Sequence, residues 1–168
     1  MEVQSGVDIY LVRHGEAESE RTSPERPLTR LGRDEVEQVA RMAVTKSVHV
    51  SAIFHSGILR AKQTAEIMAE HLQPALVVRQ LSGLLPQDDP DIAKADLEGA
   101  ENPIMLVGHL PHLNRLAALL ITGDAERGVV EFPPAAMVCC VRDGSKWKIA
   151  WTLIPRGITA VDRQRGIV

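Results

Sequence analysis

The sequence predicts an α/β fold in three layers (α/β/α), with helices on both faces of a mostly parallel central sheet and a C-terminal group of strands that includes a hairpin. Three observations carry that expectation. Short apolar runs alternate with amphipathic stretches as far as Gly123, the pattern of strand-helix-strand units whose strands pair in parallel. Two of the runs, Ile9-Tyr10-Leu11-Val12 and Ile104-Met105-Leu106-Val107, are apolar at consecutive positions, as strands covered on both faces are. After residue 128 helical spacing stops and strand-like segments follow one another.

Composition narrows the possible functions. A chain of 168 residues suits one domain with a core that needs no staples, residues 1–6 and 159–168 being expected as peripheral tails. The net charge of -3 gives no general attraction to nucleic acid or to an anionic membrane, and an aromatic content of 3% leaves few platforms for stacked bases. Any basic site must therefore be local. Cys139 and Cys140 are adjacent in a strand-like segment, where neighbouring side chains point to opposite faces, so a disulfide framework is excluded. The opening residues lack the basic start and apolar core of a signal peptide, and no apolar run approaches the roughly 18 residues that span a bilayer. A cytoplasmic location is expected.

In chain order, residues 7–13 form the first strand, which runs into Arg13-His14-Gly15. Residues 15–27 are a polar, proline-punctuated loop of a length that tends to carry function, and it is expected to line the site of His14. An amphipathic helix starts at Thr29 as N-cap and buries Leu31, Val36, Val39, Ala40 and Ala43. Residues 51–56 make a second strand, broken by Gly57 before a helix over 58–72 that buries Ala61, Ala65, Met68 and Leu72 and carries Arg60 in its first turn. Residues 76–78 form a third strand, followed by the acidic loop 84–90, where Asp89 is either a helix cap or an acid and its spacing favours the cap. The strand over 103–107 ends in Gly108-His109; Pro111 then opens a helix that buries Leu113, Leu116, Ala117 and Leu120 and stops at Gly123. His112 lacks the strand-end placement of His14 and His109 and is expected at the surface. Strands over 129–132, 135–141 and 147–154 complete the chain, the last two joined by the hairpin signal Arg142-Asp143-Gly144-Ser145.

Three strands thus end in Arg13-His14, in Ser56 with Arg60, and in Gly108-His109. Parallel pairing brings all three ends to one edge of the sheet, the edge at which open α/β sheets bind ligands. Two arginines and two histidines on one rim suit a phosphate-sized dianion. A neutral histidine attacks phosphorus while guanidinium groups stabilise charge on the equatorial oxygens, which requires neither metal nor cofactor. A metal reading is disfavoured, because no histidine pair has the close spacing of a zinc helix and the arginines would repel a cation.

The motifs resemble those of the histidine phosphatase superfamily, of phosphoglycerate-mutase-like fold, and in particular the small SixA-type phosphohistidine phosphatases. The resemblance runs through Val12-Arg13-His14-Gly15, Arg26-Pro27-Leu28-Thr29 with Gly32, and Ser56-Gly57-Ile58-Leu59-Arg60-Ala61-Lys62-Gln63-Thr64-Ala65. It continues through Leu84-Leu85-Pro86 with Asp89, Val107-Gly108-His109-Leu110-Pro111, and Trp151-Thr152-Leu153-Ile154-Pro155. It implies that His14 becomes transiently phosphorylated while Arg13, Arg60 and His109 hold the phosphoryl group. Gly15 would orient the His14 ring through its backbone, and Ser56 and Asp89 join it as substrate-binding candidates. The implied substrate is a phosphorylated protein, for instance a phosphorelay histidine domain, or a small phosphate ester. A pocket that binds phosphoprotein without turnover is the reading from another class.

Two departures from the family pattern stand out. Members commonly carry Ser-Pro where this chain has Ser56-Gly57, which bears on the rigidity of the turn before Arg60. Many also carry a glutamate that protonates an alcohol leaving group, whereas only Asp88 and Asp89 lie in the corresponding loop here. An imidazole leaving group, with a ring nitrogen that solvent protonates, tolerates a missing acid better than an alcohol does.

Overall fold

The first strand of the chain, β1 (Asp8–Arg13), lies inside the sheet, and the fold is assembled outward from it. The computed structural model describes residues 6–156, so the tails expected at 1–6 and 159–168 lie outside the described residues apart from Gly6. Side chains on β1 alternate between two apolar layers. Tyr10 and Val12 pack with α1 (Arg30–Thr45) and α2 (Leu59–Leu72), while Ile9 and Leu11 pack with α3 (Pro90–Glu98) and α4 (His112–Thr122). Helices on both faces explain why the run is apolar at every position.

The remaining strands are β2 (Ala52–His55), β3 (Val77–Gln80), β4 (Ile104–Gly108), β5 (Met137–Asp143) and β6 (Lys146–Leu153). They form one six-stranded sheet in the order β3-β2-β4-β1-β5-β6. The strands β3, β2, β4 and β1 are parallel; β5 runs antiparallel to β1, and β6 antiparallel to β5. This is the α/β architecture the sequence predicts, hairpin included. Cys139 faces one apolar layer and Cys140 the other, both as free buried thiols.

The path of the chain makes the site. From β1 the chain passes through α1 on one face, over β4, to β2; from β4 it passes through α4 on the other face, over β1, to β5. Connections leaving two adjacent strands in opposite directions open a crevice between their carboxyl ends. His14 directly follows β1, His109 directly follows β4, and the His14 amide donates to the Gly108 carbonyl at 3.1 Å.

Several elements differ from the sequence reading. Leu31 is 57% exposed rather than buried, and Gly32 takes the inner position, since a Cβ there would lie 2.1 Å from the Glu16 carbonyl oxygen. Thr29 caps α1 as expected, its hydroxyl accepting from the Gly32 amide at 2.9 Å and donating to Glu16 Oε2 at 2.9 Å. Residues 129–132 are not a strand. Pro133 and Pro134 cannot donate to a ladder, Ala135 has a φ of 66°, and β5 begins only at Met137. The third strand runs over Val77–Gln80 rather than 76–78, with Ala52 opposite Val77. Among the described residues no helix is long and apolar enough to cross a membrane.

Candidate active site

The end of β1 sets His14 in a defined state. Its Nδ1 lies 2.7 Å from the Gly15 carbonyl oxygen. A carbonyl only accepts, so the proton is on Nδ1 and the Nε2 lone pair is free to act as a nucleophile. The Gly15 amide donates to Thr64 Oγ1 at 3.1 Å, and the Thr64 hydroxyl donates to the Arg60 carbonyl at 2.8 Å. One buried hydroxyl on α2 thereby ties the His14 turn to the helix that carries Arg60. Arg60 Nε faces His14 Nε2 at 3.4 Å, a long contact that leaves the lone pair weakly engaged.

Burial is the first cause that pushes His14 down to about 4, and the cations Arg60, Arg13 and Arg26 add to it against the opposing Gly15 hydrogen bond. The ring is therefore neutral at neutral pH. His109 stands beside it, with ring centroids 5.1 Å apart and planes inclined by 51°. Burial, then the charges of His14 and Arg60, take His109 down to about 3.

Ser56 fixes the tautomer of His109. Its Oγ accepts from the Ile58 amide at 3.2 Å and lies 2.6 Å from His109 Nε2, the acceptor available to the hydroxyl proton. Nε2 therefore accepts and Nδ1 carries the proton. His109 Nδ1 and Arg13 Nε are both buried and lack a hydrogen-bond partner among the described residues. Each such buried donor costs about 1–3 kcal/mol unless an acceptor arrives, so two of them beside a neutral histidine describe a place for an anion. Arg13 is anchored at its other end, where Nη1 donates to the Phe132 carbonyl at 2.8 Å.

The structure brings Arg13, His14, Gly15, Ser56, Arg60 and His109 together. It does not bring Asp89 to the reacting atoms. Asp89 is the N-cap of α3, its Oδ1 accepting from the Asp91 amide at 2.9 Å, and Asp88 Oδ2 accepts from the Leu85 amide at 2.9 Å. Neither carboxylate is among the charges that bear on His14 or His109; both bear on His112 instead. His112 itself corrects the surface expectation, being 0% exposed at the start of α4. It stands one helical turn before Leu116, which puts it on the buried stripe against the 83–89 loop.

Three residues of the site were not among the sequence candidates. Arg26 is a third cation close enough to lower both His14 and Arg60. It adopts a φ of 51°, although the residue before a proline is normally extended, and its Nε donates to the Glu18 carbonyl at 3.0 Å. No sequence signal marks that conformation. Gln63 and Thr64 do leave a signal, as polar residues set between Ala61 and Ala65 on an apolar face; Gln63 Oε1 accepts from the Leu28 amide at 2.8 Å and so holds the loop that carries Arg26. Among the described residues no group of three or more His, Cys, Asp or Glu is arranged to hold a metal ion.

Comparison with known proteins agrees with this geometry. Residues 9–85 match the family model of the histidine phosphatase superfamily (branch 1). The chain is 29% identical over 123 residues to phosphohistidine phosphatase SixA of Escherichia coli (strain K12), covering 70% of this chain and 76% of the relative. It is 34% identical over 126 residues to an uncharacterized protein of Picosynechococcus sp., covering 70% of this chain and 75% of that protein. Among solved structures, the protein histidine phosphatase SixA complexed with tungstate superposes with a TM-score of 0.79 at 26% identity, over 91% of this chain and 100% of that one. The putative phosphohistidine phosphatase SixA from Agrobacterium tumefaciens shares the fold, with a TM-score of 0.76 at 19% identity over 89% and 99% of the two chains. The chain belongs to the histidine phosphatase superfamily and is a phosphatase.

Proposed function

We propose that this phosphatase removes the phosphoryl group from phosphohistidine on a protein. The observation that carries the reading is the charge environment of the two histidines. Among the described residues the side chains whose charge bears on His14 or His109 are arginines and other histidines, and no carboxyl is among them. An alcohol leaving group needs a proton from a positioned acid as the phosphorus–oxygen bond breaks. A phosphoimidazole does not, because its second ring nitrogen is protonated from solvent. The SixA relatives, described as phosphohistidine phosphatases, support the same substrate class.

The chemistry divides into two displacements. His14 Nε2 attacks phosphorus, the phosphorus–nitrogen bond of the substrate breaks, and the departing imidazole leaves with its solvent-derived proton. Arg13, Arg60 and the Nδ1–H of His109 stabilise charge on the equatorial oxygens, where preorganised donors contribute most. Nδ1–H of His14, held by the Gly15 carbonyl, stabilises the phosphorylated ring. Water then attacks phosphorus, the bond to Nε2 breaks, inorganic phosphate leaves and the water's second proton passes to solvent.

The test compares kcat/KM for a phosphohistidine protein with kcat/KM for an alkyl phosphate ester, in the wild type and in Asp89→Asn. The phosphoramidate is expected to be preferred by at least about 100-fold, roughly the worth of a missing general acid, with Asp89→Asn changing neither rate. A preference for the ester that disappears in Asp89→Asn would make the protein a phosphomonoesterase with Asp89 as its acid. Hydrolysis of neither substrate class would make the pocket a phosphoprotein-binding site.

A further inference from the structure

The turn between β2 and α2 holds both Ser56 and, one helical turn on, Arg60, yet it lacks the proline that commonly stiffens it in this superfamily. Gly57 has a φ of 90°, which proline, fixed near −65°, cannot adopt. The N-cap residue of α2, Ile58, contributes no side-chain cap. Ser56 Oγ, accepting from the Ile58 amide at 3.2 Å, holds one side of the turn, and the Gly57 amide needs a partner of its own. His55, the last residue of β2 and only 5% exposed, supplies it. Its Nδ1 accepts from the Gly57 amide at 3.0 Å, and its own carbonyl accepts from the Leu81 amide at 2.9 Å. The Gln80 side chain closes the outer side of the turn, since a Cβ on Gly57 would lie 2.5 Å from Gln80 Cδ.

We propose that His55 is a positioning residue for catalysis, its Nδ1 locking the 55–58 turn so that Ser56 reaches His109 and α2 starts with Arg60 aimed at His14. The linkage runs in two directions from one amide. Toward β4, the locked turn sets Ser56 Oγ at 2.6 Å from His109 Nε2 and thereby keeps the proton on His109 Nδ1. Toward α2, it sets the first turn from which Arg60 Nε reaches His14. Because an amide N–H only donates, Nδ1 of His55 carries no proton and Nε2 does, the opposite tautomer to His14. The latch replaces the stiffness of a proline with a hydrogen bond and a packed glutamine. The inference rests on the phosphatase reading of the site given above.

The experiment compares the wild type with His55→Ala, His55→Asn and His14→Ala on a phosphohistidine substrate, with thermal melts run on each. Asparagine Oδ1 reaches the place of Nδ1 and accepts the same amide. His55→Ala is expected to lower kcat per folded molecule by about 10- to 100-fold, the cost of an ångström-scale misplacement, and His55→Asn to recover most of that loss. A role in stability alone would lower the melting temperature of both variants and leave kcat per folded molecule within about twofold, which overturns the proposal. Should His55→Ala fail to fold, the ¹⁵N spectrum of the wild-type imidazoles decides. A proton on Nε2 of His55 agrees with the latch, and a proton on Nδ1 refutes it. Full turnover in His14→Ala would instead overturn the reading of the site itself, a result distinct from an unimpaired His55→Ala beside an inactive His14→Ala.

Discussion

The ends of β1 and β4 look alike in sequence, each an apolar strand stopping at a glycine and a histidine, yet the structure gives their histidines opposite electronic faces. His14 spends its Nδ1 proton on the Gly15 carbonyl and presents a lone pair. His109 accepts a hydrogen bond from Ser56 at Nε2 and presents an N–H that nothing among the described residues accepts. One strand end offers a lone pair and its neighbour offers a donor. Both rings carry their proton on Nδ1, but they turn opposite edges to the site, so in the proposed reaction one acts on the phosphorus and the other on its oxygens. The difference is set by one carbonyl and one hydroxyl, so it can be broken one residue at a time.

The largest effect is expected at the nucleophile. His14→Ala should lower kcat/KM on the order of 10⁴-fold or more, as loss of a covalent nucleophile does, while phosphate binding by the remaining arginines survives. Steady-state kinetics with a phosphate-competition assay checks both halves. At the partner strand, Ser56→Ala leaves His109 Nε2 without its donor and frees the tautomer; kcat should fall by about 10- to 100-fold with a smaller change in KM, the usual scale for one misdirected oxyanion donor.

A subtler break concerns the charge around His14. Removing a cation in Arg26→Ala should move the His14 midpoint upward from about 4, followed by the ring resonances in an NMR titration, yet keep it below the ordinary histidine value because burial is the larger cause. The sign for stability follows from the same depression. The folded state resists protonation of His14, so its contribution is fully present above the unfolded value of about 6.5 and drains away as pH falls through the folded value. The smallest effect is expected at Asp89. As the cap of α3 it should cost about 1 kcal/mol on replacement by alanine, seen in a denaturant melt, with phosphohistidine turnover unchanged.

How much of this was legible in the sequence depended on whether a local rule or a tertiary one governed the residue. Strands β1 and β4, the Thr29 cap and the Asp143-Gly144 hairpin obey local periodicity and turn chemistry, and each is present in the structure. Residues 129–132 have strand-like side chains, but the Phe132 carbonyl is claimed by Arg13 from another element. His112 was readable and misread, since its spacing from Leu116 already placed it on the buried stripe of α4. The clustering of Arg13, His14, Arg60 and His109 followed from parallel strand ends, a topological rule. Arg26 did not, because its left-handed backbone and its approach to the site depend on how the 15–27 loop folds back, with Glu18 N–H on the Pro27 carbonyl and Gln63 on Leu28.

The most direct test of the different roles proposed for these histidines is to trap the intermediate. Wild-type protein quenched in base after brief incubation with a ³²P-labelled phosphohistidine protein should carry alkali-stable, acid-labile phosphate on His14 Nε2, and the label should disappear on a chase. Label found on His109, or on Nδ1 of His14, or turnover with no phosphorylated histidine under any quench, would contradict the assignment.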